Sequence, residues 1–233
     1  MPPASYRQRV PRPVSARPGP PPPWAALPLR QRSSLSVGQI ADAIAEAGAG
    51  LTEARRVAAA VLVPVFAAAP DGEATVVLTR RSQLLQRDPG HVAFPGGRVE
   101  PGEAPPDAAL REAHEEVGLH PQEVEVCGLV DVVGRRPGEQ IAAYLGILAR
   151  PPALVPSASE VESVLEVPLA SLLADGVAWQ ERWSAGRGER SVHFFADPTV
   201  LGDDLVWGVS ARILWHLLDA ASAHRARVDG ASA

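Results

Sequence analysis

Lysine is absent from the 233-residue chain, so all 22 basic residues are Arg. Cysteine occurs once, as Cys127, which excludes an intrachain disulfide, a Cys-based zinc site and a redox thiol pair. A single thiol fits a reducing cytoplasm. Long apolar runs are also missing: the longest, Val57 to Pro70, is 14 residues and contains Pro64, whereas a spanning helix needs about 20. No membrane span is expected. The N-terminus offers neither an apolar h-region nor a small-residue cleavage site, so no secretory signal is expected either. Acids are missing from residues 1–41, which hold six Arg, and the remaining body is therefore acidic and a poor nucleic-acid binder. Residues 1–33 echo an Arg-rich transit peptide, but their ten prolines prevent the amphipathic helix such a peptide needs.

What is present is ordinary for a soluble domain, with 46% hydrophobic and 21% charged residues, which rules out a disordered or collagen-like chain. Residues 1–33, with Pro20 to Pro23 in a row, predict an extended, mobile tail. Residues 34–225 then form one domain, and 226–233 a flexible C-terminus. Ser36 and Gln39 have capping-box spacing, and Val37, Ile40 and Ile44 followed by Gly48 predict a short amphipathic helix. Ala58 to Ala69, the turn Pro70-Asp71-Gly72 and Thr75 to Thr79 predict a hairpin. Further strands are expected at His91–Phe94, Val124–Val133, Ile141–Leu148, Ser163–Val167 and Val192–Phe195, with helices at Pro105–Val117, Leu169–Leu173 and Leu205–Ala221. This interleaving predicts an α/β fold with helical layers on a mixed sheet.

The informative helix is Pro105–Val117. At 100° per residue, Leu110, Ala113 and Val117 fall within about 60° and predict the buried stripe, with Glu112, Glu115 and Glu116 opposite. Pro105 and Pro106 suit the first turn, and Gly118 suits the left-handed residue that ends a helix. Three like charges at spacings of three and four repel, and the last turn disfavours each anion by about 0.3–1 kcal/mol. A bound cation relieves both penalties. Hard oxygen ligands without His or Cys favour Mg²⁺ or Mn²⁺, which typically bridge to substrate phosphates. Upstream, Gly96-Gly97 lets backbone approach a ligand closely, with Phe94-Pro95 anchoring the loop.

Gly97, five residues, Glu103, seven residues, then Arg111-Glu112-Ala113-His114-Glu115-Glu116-Val117-Gly118-Leu119 resembles a complete Nudix box. Seven fixed letters coincide by chance roughly once in 10⁸ starting positions. The resemblance implies the Nudix fold, an α/β/α sandwich around a mixed sheet, and hydrolysis of a nucleoside diphosphate linked to another moiety. It assigns Glu112, Glu115 and Glu116 as metal-binding carboxylates, the Gly97 carbonyl as a further ligand, and Glu103 with Arg111 as a supporting catalytic pair. His114, at a variable box position, is expected to be a packing residue. The general base is Glu112 or Glu160, since family members draw it from the box or from a distant loop.

Leu78-Thr79-Arg80-Arg81-Ser82, followed by Gly90-His91-Val92-Ala93-Phe94-Pro95-Gly96-Gly97, is similar to the extended motif of Nudix coenzyme A diphosphatases. Ser159 to Leu169 and Val206-Trp207-Gly208 also resemble that subgroup, so the likeness covers roughly residues 56–222. One position departs: where the subgroup usually has Arg four residues before the motif glycine, this chain has Gln86, with Arg87 next. The resemblance implies coenzyme A or its thioesters as the small-molecule substrate, 4′-phosphopantetheine and adenosine 3′,5′-bisphosphate as products, and Arg81, Arg87, Gly90, Phe94 and Gly96 as substrate-binding positions. Arg80 is expected to be a solvated strand residue. The alternatives are another nucleoside diphosphate derivative, such as ADP-ribose, a dinucleotide or a modified nucleotide, and a non-catalytic nucleotide-binding module. A homodimer stays open.

Overall fold

A computed structural model describes residues 6–48, 57–68, 72–136, 139–185 and 188–231. The first helix, α1 (Val37–Gly48), starts where the capping box is realised in both directions. The Ser36 N–H donates to Gln39 Oε1 at 3.0 Å and the Gln39 N–H to Ser36 Oγ at 3.2 Å, which satisfies two donors that a helix start otherwise leaves free. A short strand, β1 (Arg17–Pro18), precedes it.

The long strand β2 (Val57–Ala67) pairs antiparallel with β3 (Ala74–Arg81), as the hairpin signal predicts, although Pro70 and Asp71 of the turn lie outside the described residues. After β4 (Val92–Ala93) and β5 (Gly96–Arg98) comes α2 (Pro105–Val117), whose limits match the sequence expectation. Gly118 caps it at φ +71°, and its N–H donates to the His114 carbonyl at 2.9 Å. Next are β6 (Val124–Arg136), β7 (Glu139–Leu148) and β8 (Val161–Pro168). Leu169–Leu173 is a 3₁₀ turn. The chain then runs through β9 (Ala178–Ala185), β10 (Gly188–Phe195), β11 (Val206–Trp207) and α3 (Gly208–Ala231).

The main sheet has seven strands, ordered β4-β3-β2-β7-β6, with β5 also on β2 and β8 also on β3. It is mixed because β2 and β7 run parallel while the other pairs are antiparallel. Strand alternation feeds two cores. Val63, Val65, Val76, Leu78, Ala143 and Leu145 face α1 and α3, while Ala60, Leu62, Val77, Ala142 and Tyr144 face α2. The result is the expected sandwich, with α2 alone on its side of the sheet among the described α-helices.

Four expectations are corrected. Residues 6–33 are not a mobile tail: Trp24 is 1% exposed and packs against Trp215 and Phe195, with ring centroids at 4.9 and 6.4 Å. The buried indole, with the arm's hydrogen bonds to the domain, contributes to offsetting the ordering cost of this proline-rich segment. The arm also adds β1 to a second, four-stranded sheet, β1-β9-β10-β11, in which Arg17 lies opposite Arg182. Residues 1–5 of the expected tail lie outside the described residues. Helix α3 begins only after β11, at Gly208 with φ +71°, and continues to Ala231, so residues 226–231 are helical rather than loose. The expected helix at Leu169–Leu173 is too short to be more than a 3₁₀ turn. Arg80 is not solvated, because its guanidinium pairs with Asp204, which is 0% exposed.

Candidate active site

The face of α2 that meets the sheet is lined by Ala108, Ala109, Ala113 and Val117, all at 0% exposure. Leu110, expected in that stripe, is only partly buried. Glu116 lies within the stripe rather than opposite it, at 4% exposure, three residues after Ala113 and seven after Ala109. The nearby Gly96 N–H favours the charged form of its carboxylate, and Arg81 Nη1 stands 3.9 Å from Oε1. Burial pushes the Glu116 carboxyl up to about 8, against the pull of Arg81 and with the charges of Glu112 and Glu160 adding to the rise. Glu160 sits at the turn entering β8, where its carbonyl accepts the Ser82 N–H at 2.8 Å. The three acids Glu112, Glu116 and Glu160 thus share one electrostatic neighbourhood.

Glu112 is half-buried against the backbone of Gly97: a Cβ at that glycine would lie 2.4 Å from the Glu112 carboxyl carbon. Desolvation raises its carboxyl, with Glu115 and Glu160 adding to the rise and Arg111 opposing it. Glu115 is mostly exposed, with its Oε2 3.3 Å from Arg111 Nη1. Arg111 is the hub of the cluster. Its guanidinium grips Glu103 with two parallel bonds, reaches Glu112 through Nη1 at 3.0 Å, and donates to the Arg98 carbonyl at 3.0 Å. Glu103 in turn accepts the Glu100 N–H at 2.9 Å, and these donors hold its carboxyl below the usual range. The pair therefore ties α2 and the residues before it to β5.

The glycines are placed by the same logic. Gly96 pairs with Val61 in the sheet at φ +153°, where a Cβ would lie 2.4 Å from the Ala60 carbonyl oxygen, so only glycine fits. Gly90 is buried with φ +71° and closes the loop 82–90 by donating to the Arg81 carbonyl at 3.0 Å. Arg87 is exposed on that loop. Phe94 does not face the site: at 3% exposure it belongs to the core beneath α1 and α3, on the far side of the sheet from α2. It anchors the glycine loop and is corrected as a direct substrate contact. His114 is exposed, its ring 4.7 Å from that of His120, so it is no core packing residue. Sequence reasoning missed Asp204 and Gln8, whose side chains hold the loop from behind. Nothing at either position distinguishes it in the sequence from an ordinary polar residue.

The donor set fits a divalent cation. Among the described residues no three acid, imidazole or thiol groups stand together as a finished cage, and Arg111 lies among Glu103, Glu112 and Glu115. Yet a buried carboxylate that burial pushes towards protonation, beside a second half-buried one, is what a hard cation stabilises in its charged form. Glu112, Glu115, Glu116 and the Gly97 carbonyl would hold it.

The NUDIX domain model matches residues 56–186, more than half of the chain. The chain belongs to the Nudix family. Nudix hydrolases generally use divalent metal ions such as Mg²⁺, which agrees with the oxygen donors above. Among relatives, the Uncharacterized Nudix hydrolase NudL of Salmonella paratyphi B is 39% identical over 168 residues, covering 68% of this chain and 80% of the relative. The Peroxisomal coenzyme A diphosphatase NUDT7 of Mus musculus is 36% identical over 157 residues, covering 66% of this chain and 65% of the relative. Nudix hydrolase 22, chloroplastic, of Arabidopsis thaliana is 35% identical over 159 residues, covering 67% of this chain but 52% of the relative. The chain thus spans between about half and two thirds of several relatives' own length. Among solved structures, a Nudix hydrolase from M. smegmatis, RenU, is 29% identical with a TM-score of 0.42, covering 50% of this chain and 73% of that one. No described helix of this Nudix protein is long and apolar enough to cross a membrane.

Proposed function

We propose that the protein hydrolyses the diphosphate bond of coenzyme A or its thioesters with Mg²⁺ or Mn²⁺, giving 4′-phosphopantetheine and adenosine 3′,5′-bisphosphate. The observation that carries the reading is the junction of two motifs. Arg81, from the coenzyme A-type segment, stands 3.9 Å from the buried Glu116 of the Nudix box, which supports a site where substrate selection and metal binding meet. The 36% identity to a relative named a coenzyme A diphosphatase supports it.

A bound divalent cation supplies charge neutralisation for the diphosphate and a more acidic water. Glu112, Glu115 and Glu116 would hold that cation, and Arg111 fixes Glu112 from behind by its bond at 3.0 Å. The water oxygen bonds to one phosphorus as the bridging P–O bond breaks, the bridging oxygen leaves with the other phosphate, and the proton passes to a carboxylate, Glu160 or Glu112. Arg81 and Arg87 are the candidate partners for substrate phosphates, since Arg80 is committed to Asp204. The acidic body and its nucleotide-sized chemistry favour a small-molecule substrate over nucleic acid.

The test offers equal concentrations of coenzyme A, ADP-ribose, NADH and dinucleoside polyphosphates with Mg²⁺, and identifies products by mass spectrometry. Coenzyme A is expected to turn over fastest, with no turnover in EDTA. Coenzyme A as the slowest member would sink the substrate reading, and no turnover of any member would favour a binding module.

A further inference from the structure

Gln8 lies far outside the matched family region, yet its side chain is buried against the loop that carries Arg87. Its Nε2 donates to the Gly90 carbonyl at 2.9 Å and to Asp204 Oδ1 at 2.7 Å, while its Oε1 accepts the Leu205 N–H at 2.7 Å. Those partners come from three separate places. Gly90 ends the loop 82–90, which is rooted on Arg81 through the Gly90 N–H and on Glu160 through the Ser82 N–H. Asp204 holds Arg80, the strand neighbour of Arg81, and Leu205 leads into β11. An amide is the group that meets this site, because one end must donate to a carbonyl and a carboxylate while the other accepts an N–H. The Arg7 N–H, donating to the Asp203 carbonyl at 3.0 Å, holds the arm in the same register.

We propose that Gln8 is a positioning residue: the N-terminal arm buckles the loop 82–90 to the domain, and so sets Arg81 and Arg87 for the substrate phosphates. The substrate half rests on the function proposed above, whereas the loop half stands on the contacts alone. Loss of the amide frees the Gly90 carbonyl, loosens the loop and weakens substrate binding without touching the acid cluster on α2.

The experiment uses the full chain with Gln8→Ala and Gln8→Glu, and Arg32→Ala as a matched control. Arg32 also anchors the arm, with its Nη1 donating to the Leu173 carbonyl at 3.0 Å and to Asp175, and neither partner lies on the loop. Two readouts are taken: amide hydrogen exchange over residues 82–91, and KM against kcat on whichever panel substrate the wild type turns over fastest. Both Gln8 variants are expected to exchange faster across 82–91 and to raise KM about tenfold, as the loss of one net hydrogen bond implies, with kcat near the wild-type value. Gln8→Glu should be the worse, because it sets a second carboxylate against Asp204. Arg32→Ala should lose melting temperature with loop exchange and KM unchanged. Unchanged exchange in both Gln8 variants overturns the proposal, as does a fall in kcat at constant KM that tracks lost stability. Should Gln8→Glu fail to fold, the milder Gln8→Ala decides. If the wild type turned over no panel member, the proposed function would fail, while loop exchange would still decide whether Gln8 fastens the loop.

Discussion

Arg111 and Glu103 are joined by two parallel bonds, Nε to Oε1 at 2.9 Å and Nη2 to Oε2 at 3.1 Å, eight residues apart along the chain. That fork leaves Nη1 aimed at Glu112, so the orientation of one acid is set by the grip on another. Arg111→Lys keeps the charge but cannot span both oxygens and Glu112 at once. It should lower activity about 10–100-fold and raise the Mg²⁺ concentration for half-maximal rate, with Glu103→Gln behaving alike. A metal titration of initial rates checks this, and an unchanged half-maximal Mg²⁺ would refute the positioning role.

Glu116→Gln should separate the metal role from stability. A buried ligand carboxylate should cost at least the roughly 10²-fold at the top of the range seen for outer supporting residues. The metal-free variant, however, should be the more stable one at neutral pH and above. The Glu116 carboxyl has its folded pKa raised from 4.5 to about 8, so between those values the native state binds the extra proton and stability falls as pH rises. Melting temperatures of both proteins in EDTA should therefore diverge steadily from pH 5 to 8 in favour of Gln. A constant difference would contradict the burial of that charge.

His193 on β10 should act in the opposite sense. It is 8% exposed, lies 4.6 Å from the Trp215 ring, and is held down from 6.5 to about 4 by burial and by the nearby charges of His216 and Arg212. Its neutral form contributes stability that is fully present above pH 6.5 and is lost as pH falls through 4. His193→Phe keeps a ring against Trp215 and removes the proton, so the variant should lose less melting temperature than wild type between pH 6.5 and 4. Parallel pH profiles would show that the imidazole is free to charge in the fold.

Trp24→Ala should cost about 3–5 kcal/mol, as removal of a fully buried large aromatic does. Urea denaturation measures it. A loss below about 1 kcal/mol would mean that the arm does not dock in solution.

The boundaries of α2 were legible because proline, glycine and apolar spacing agree there, and the capping box at Ser36 was legible because its two partners are only three residues apart. The acid residues of the site were legible by type, but their environments were not. Polarity alone puts Glu116 on an outer face, although at 100° per residue it lies about 60° from Ala113, and the structure buries it where Gly96 and Arg81 can answer its charge. The arm was illegible for a different reason. Its docking depends on Trp24, Gln8 and the short pairing of Arg17–Pro18 with β9, all contacts made across more than 80 residues of chain. Strand β9 itself mixes Trp, Gln, Glu and Arg, so no alternation marks it, and β11 merges in sequence with the apolar start of α3.

The run of alanines beneath α2 sets how near the helix lies to the sheet. Ala108, Ala109 and Ala113 pack as single methyl groups in one cluster with Ala60, Leu62 and Ala142, and it is this thinness that lets an acid three residues further on come near a strand glycine. Site geometry is thus encoded in side chains with no chemistry of their own. A larger group at Ala113 would act as a shim, lifting the last turn and parting Glu116 from Gly96 while every glutamate stayed in place. Such a protein would keep a perfect signature and lose its centre, so the box letters record which groups are supplied, and the alanines record the distance at which they are held.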